Sequence, residues 1–146
     1  MKYLLLILPL AFFSCQGYGE HEISLFDQEI QKTYGQILSG FEKSDSGVYY
    51  KVMKEGTGKE IQYGDIISVS YKGSLIDKTV FELQKEPIDL PLKLLIPAWK
   101  EVLIGQKEKV KIQLITPPQM AYGSGEREKI PPSSVLFFEI EVHNKK

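Results

Sequence analysis

Apolar residues change their spacing along this chain, and each change predicts an element. Ile23, Phe26, Ile30, Tyr34, Ile37, Leu38 and Phe41 fall three or four apart, which puts them on one face of a helix over 23–41. Ser24 followed by Asp27 makes a capping-box-like start, and Gly40 sits where such a helix would stop. Thr33 and Gly35 weaken the pattern. A single stripe does not say what it faces, so this amphipathic helix either packs on its own domain or serves as a stalk for a second copy or a client. After Lys43-Ser44-Asp45-Ser46-Gly47 the period shortens from helical to strand-like. Strands are predicted over 48–54, 65–76 and 78–83, with Glu55-Gly56-Thr57-Gly58-Lys59 as a turn. Val110, Ile112 and Leu114 alternate with lysines and a glutamine, and Leu136, Phe138, Ile140 and Val142 alternate with Phe137, Glu139 and Glu141. Leu95, Trp99 and Val102 carry helical spacing, with Pro97 tolerable in a first turn. The order predicts an α+β fold: an antiparallel twisted β-sheet wrapped on one short α-helix, preceded by the N-terminal amphipathic helix.

The beginning of the chain follows another rule. Behind Met1-Lys2, Tyr3 to Phe13 is unbroken apolar sequence. That is the layout of a secretory leader, and it falls short of the ~20 residues a membrane-spanning helix needs. It ends at Phe12-Phe13-Ser14-Cys15, and Cys15 is the sole cysteine, so an intramolecular disulfide is excluded. The segment resembles a bacterial lipobox, which implies lipidation of Cys15 and attachment to a membrane of the cell envelope, facing the periplasm or the exterior. Three parts are expected: a leader over 1–14, a tether and helix over 15–45, and one domain over 46–146.

Composition and charge narrow the chemistry. A net charge of -1 leaves no electrostatic footprint for nucleic acid. His21 and His143, the only two histidines, cannot assemble a metal site with Cys15 or a Ser-His-Asp set. Gly56-Thr57-Gly58 lacks the remainder of a phosphate loop. What remains is a collection of aromatic and branched residues beside structured loops.

From about Ser46 onward those residues resemble an FKBP-type peptidyl-prolyl isomerase domain. The matching pieces, in family order, are Ser46-Gly47-Val48-Tyr49-Tyr50-Lys51-Val52 with Gly56-Thr57-Gly58, Val69-Ser70-Tyr71-Lys72-Gly73-Ser74-Leu75, and Asp77-Lys78-Thr79-Val80-Phe81. Leu95-Ile96-Pro97-Ala98-Trp99, Gly105-Gln106, Ala121-Tyr122-Gly123, Ile130-Pro131-Pro132 and Leu136-Phe137-Phe138-Glu139-Ile140-Glu141 complete it. The resemblance implies rotation of X-Pro bonds in proline-containing polypeptides that are unfolded or assembling, with no cofactor and no metal. Trp99 would form the floor under the proline ring, and Tyr71, Phe81, Leu95, Ile96 and Phe138 the walls. Tyr122 and the Ile96 N–H would each meet a substrate carbonyl, and Ile130 would lie in the flap. Glu82 stands where the family usually has Asp, while Ile88 and Leu90 take places that are often aromatic, and Ala98 replaces a usual Gly. These departures keep a second function open, a weakly active or inactive FKBP-like module that binds clients or joins a complex.

Overall fold

The computed structural model describes residues 18–146; the leader and Cys15 lie outside the described residues. Six strands form one antiparallel sheet: β1 (Glu42–Lys43), β2 (Tyr49–Lys54), β3 (Ile66–Leu75), β4 (Val80–Pro91), β5 (Lys111–Thr116) and β6 (Leu136–Lys145). Their spatial order is β1-β2-β5-β6-β3-β4. Helix α1 (Glu20–Tyr34) lies against one face, and the short α2 (Pro97–Leu103) against the other.

Period-2 alternation decides which side chains meet which helix. From β3 and β6, Ile67, Val69, Tyr71, Leu136, Phe138, Ile140 and Val142 point into the main core with α2. Phe137 points the opposite way and stacks on Tyr34 of α1, with ring centroids 5.7 Å apart. Ile30, Tyr34, Tyr49, Ile115 and Val135 form a second buried cluster on that outer face. Polar contacts fix its register. The Tyr49 hydroxyl donates to Asp27 Oδ1 at 2.7 Å and accepts from Gln31 Nε2 at 2.8 Å. Lys43 adds an ion pair to Asp27 at 2.7 Å.

The helix predicted over 23–41 is displaced toward the N-terminus. It starts at Glu20, where the Glu22 carboxylate accepts the Gly19 N–H at 2.9 Å, so Ser24 and Asp27 do not form its cap. It stops at Tyr34, since Gly35 is a poor helix residue, and the chain then turns through Ile37 and Leu38 N–H bonds to the Tyr34 carbonyl. Leu38 and Phe41 still pack in the outer cluster, but from a turn. Gly40, with φ +82, lies beyond the helix.

The third predicted strand, 78–83, is also corrected. Lys78 belongs to the β3–β4 turn, where it takes a left-handed φ of 71 and donates to the Leu75 carbonyl, and β4 runs from Val80 to Pro91. Pro87 argues against a central strand, yet β4 is the sheet edge, where a missing N–H leaves no ladder partner wanting. Strand β1 pairs only Glu42 with Tyr50 and Lys43 with Tyr49, too short to show a period. Leu95 precedes α2 rather than lying within it; Pro97 opens the helix, and Ala98, Trp99, Val102 and Leu103 are its buried face.

Candidate active site

Four rings meet edge-to-face inside the main core. Trp99, in the first turn of α2, is 5.3 Å from Tyr71 of β3 and 5.5 Å from Phe138 of β6, and Phe138 is 5.7 Å from Phe81 of β4. All three interplanar angles lie between 85° and 87°, the arrangement that sets a ring's positive edge on its neighbour's negative face. The close fit depends on a strand glycine. Gly73 pairs with Phe138 on one side and Glu82 on the other, and a Cβ there would stand 2.5 Å from Phe81 Cζ and 3.0 Å from Phe138 Cε1.

Leu90, Leu95, Ile96 and Ile130 are buried in the same cluster, and Ile88 and Tyr122 pack against it. Thus the structure gathers every residue assigned to the pocket from sequence. It differs from an open concavity in one respect, because Trp99 is 0% exposed. The rings pack on one another, and the segment from Tyr122 to Ile130 borders them. That segment is held by Gly123 N–H to the Pro118 carbonyl at 2.8 Å and by reciprocal backbone bonds between Arg127 and Ile130.

Three polar groups lie in this apolar setting. Trp99 Nε1 and the Tyr122 hydroxyl are both buried, and neither has a hydrogen-bond partner among the described residues. Burial also pushes the Tyr122 hydroxyl far above the usual phenol range, so it stays protonated and available as a donor. The Ile96 N–H, just before α2, makes none of the turn, loop or cap backbone hydrogen bonds among the described residues. Buried donors without partners are costly and point to a ligand that supplies acceptors.

Glu82 is the charged member of the site. Burial raises its pKa above the ordinary 4.5, while a hydrogen bond from Tyr71 and the nearby Lys129 charge pull partly the other way. The folded state therefore binds the proton more tightly than the unfolded chain, and this group loses stability as pH rises above 4.5. Glu82→Gln, which keeps an acceptor for Tyr71, is expected to raise the urea midpoint at pH 7. The advantage should shrink toward zero as pH falls below 4.5; equal midpoints at pH 7 would contradict the assignment.

A groove of about 470 Å³ opens on the opposite face of the sheet, between Met53, Lys72, Leu83, Gln113 and Glu139. Its walls carry the ion pairs Lys72–Glu139 and Lys111–Glu141, and Trp99, Phe81, Tyr122 and Phe138 are not among its residues. Tyr71 lines this groove as well and is the residue it shares with the aromatic cluster.

The family model for FKBP-type peptidyl-prolyl cis-trans isomerases matches residues 57–143. This chain belongs to the FKBP family. Among curated relatives, the FKBP-type peptidyl-prolyl cis-trans isomerase FkpA of Escherichia coli K12 is 38% identical over 106 residues, covering 70% of this FKBP chain and 39% of the relative. The FkpA of Buchnera aphidicola from Schizaphis graminum is 42% identical over 109 residues, covering 72% and 43%. The crystal structure of Escherichia coli FkpA superposes with a TM-score of 0.73 at 33% identity, covering 87% of this chain and 59% of that one. This FKBP chain thus spans about two fifths of the length of those curated relatives. A Pseudomonas syringae isomerase structure, at 23% identity and TM-score 0.75, shares the fold.

Gly73 belongs to a motif that the sequence shows, and its role in the close fit of Phe81 and Phe138 comes from the structure. Arg127, whose guanidinium carbon lies 4.6 Å from the Tyr122 ring centroid, sits in a charged run with no local signal.

Proposed function

We propose that this FKBP domain accelerates cis/trans rotation of X-Pro bonds in polypeptides that are folding or assembling in the cell envelope. The observation that carries the reading is the pair of orphaned buried donors, Trp99 Nε1 and the Tyr122 hydroxyl, on a buried aromatic cluster. Resonance opposes rotation with a barrier of about 18–20 kcal/mol. The planar amide is the more polar form, so an apolar site favours the twisted one, and no acid, base or nucleophile is required. Trp99 supports the proline ring, Tyr71, Phe81, Leu95 and Phe138 enclose it, and Tyr122 donates to the carbonyl of the residue before proline. The Ile96 N–H holds a second carbonyl, and fixed donors of this kind stabilise the twisted state without reorganising.

The test is exchange in a proline-containing peptide, followed by NMR or a protease-coupled assay. Tyr122→Phe is expected to lower kcat/KM about tenfold, equivalent to about 1.4 kcal/mol for one hydrogen bond at the rotating amide. Its folding stability should not fall, since the hydroxyl lost has no partner among the described residues. A wild-type rate equal to buffer would exclude the reading.

The full covering of Trp99 favours a second reading, a binding module without useful turnover. It requires that wild type and Tyr122→Phe suppress a client's aggregation equally, and it fails if suppression tracks exchange rate. Membrane attachment through Cys15 is supported by the leader-like pattern before it, and is checked by metabolic labelling with a fatty acid. Pairing of two copies through the 23–41 segment is supported by Ile23, Leu25 and Ile37, which stand exposed there. Sedimentation of the wild type against Leu25→Glu checks it.

A further inference from the structure

The segment leading into Ile130 carries four consecutive charges, Glu126-Arg127-Glu128-Lys129. Three of them are exposed, whereas Arg127 is half-buried and lies over the Tyr122 ring with its guanidinium carbon 4.6 Å from the centroid. Its backbone is pinned there, because the Arg127 N–H donates to the Ile130 carbonyl and the Ile130 N–H donates back. No carboxylate, those of the flanking Glu126 and Glu128 included, forms an ion pair with Arg127 among the described residues. A guanidinium held on a ring face is attracted about as strongly as one in an exposed ion pair, so an arriving carboxylate competes on even terms.

Where Arg127 sits decides what it meets. Trp99 and Phe138 are fully covered, and the Tyr122 hydroxyl is shielded from solvent, so a proline ring reaches them past the Tyr122–Ile130 segment. The carbonyl that Tyr122 receives belongs to the residue before proline. The side chain of that residue therefore arrives beside the ring that Arg127 covers. Lys129 lies near enough to act on the Glu82 carboxyl, and Glu82 near enough to act on the Tyr122 hydroxyl, so these two charges offset each other and Arg127 is the cation in contact with the ring.

We propose that Arg127 is a specificity-determining residue of this pocket, selecting chains in which Asp or Glu directly precedes the proline. A carboxylate at that position draws the guanidinium off Tyr122 and keeps it paired, while a lysine there is repelled. The proposal rests on the pocket being the X-Pro site, and its test separates the two ideas.

Three otherwise identical peptides, with Glu, Ala or Lys before proline, are titrated against the full chain. Binding is followed by the emission of Trp99, the chain's single tryptophan, and exchange is followed separately by NMR. The Glu peptide is expected to bind about fivefold more tightly than the Lys peptide, the scale of one exposed charge pair. Arg127→Gln should bring that ratio below about twofold, Arg127→Glu should invert it, and Arg127→Lys should retain part of it; raising salt to 1 M should compress it in the wild type. Equal binding of Glu and Lys peptides by the wild type overturns the proposal, as does a ratio unchanged in Arg127→Gln, or no binding of any peptide. If the ratio behaves as expected but no peptide exchanges faster than in buffer, the isomerase reading fails and the role of Arg127 stands. If all three exchange equally fast in wild type and Arg127→Gln alike, the isomerase reading stands and Arg127 selects nothing.

Discussion

Trp99→Ala is expected to reduce the free energy of unfolding by about 3–5 kcal/mol, the range for deleting a buried aromatic side chain. It should also remove measurable acceleration of X-Pro exchange. The ring is fully covered, lies in the first turn of α2, and contacts Tyr71 and Phe138 edge-on, so its loss leaves a cavity between helix and sheet that neither can close alone. Against a total stability of about 5–15 kcal/mol, such a loss is a large share. Urea unfolding followed by circular dichroism is the appropriate measurement, because the variant has no tryptophan emission. Trp99→Phe separates the two effects: it refills much of the space but lacks Nε1, so stability should recover further than activity. A cost for Trp99→Ala below about 1 kcal/mol would mean that the core collapses around the gap, against the close packing seen here.

Gly73→Ala is the second large effect, about 1–3 kcal/mol for forcing a methyl into a filled core. The added carbon meets Phe81 Cζ and Cε2 at 2.5 and 2.6 Å, and Phe81 has nowhere to swing because Phe138 lies against it. Either the ring moves out of the aromatic set or β4 shifts away from β3. Both outcomes disturb the pocket, so kcat/KM should fall together with the urea midpoint. Phe81→Leu combined with Gly73→Ala relieves the overlap, and the double variant should be more stable than the sum of the single changes predicts. Additive changes would place the strain elsewhere.

The fold was legible wherever burial was one-sided. The inner faces of β3, β5 and β6 alternate cleanly because a wet or differently packed face lies opposite, and the period is then written in the residues themselves. Legibility failed where another element changed what a residue was for. Pro87 reads as a breaker until β4 is known to be an edge. Leu38 and Phe41 fit a helical stripe although they reach the same cluster from a turn. Glu22 caps α1 through the Gly19 N–H, a contact that the usual cap residues do not announce. Within the site, residue identities were readable from motif order, since Tyr71, Phe81, Trp99, Tyr122 and Phe138 occur in family sequence. Their mutual angles, the covering of Trp99 and the placement of Arg127 are three-dimensional facts, set by α2 docking and by the turn at Ile130.

The place of β6 constrains how this molecule comes into being. It is the last of the six strands along the chain, yet it lies between β5 and β3 in the sheet. Until Leu136–Lys145 has emerged from the ribosome, the two halves of the sheet have no ladder between them, Tyr34 lacks Phe137 and Trp99 lacks Phe138. Closing such long-range contacts is the slow part of folding. A nascent chain therefore carries neither the complete aromatic cluster nor the complete outer cluster, and both are finished in one late step. Chains truncated before Leu136 should be protease-sensitive throughout, and pulse-labelled hydrogen exchange should show α1 and the pocket gaining protection together.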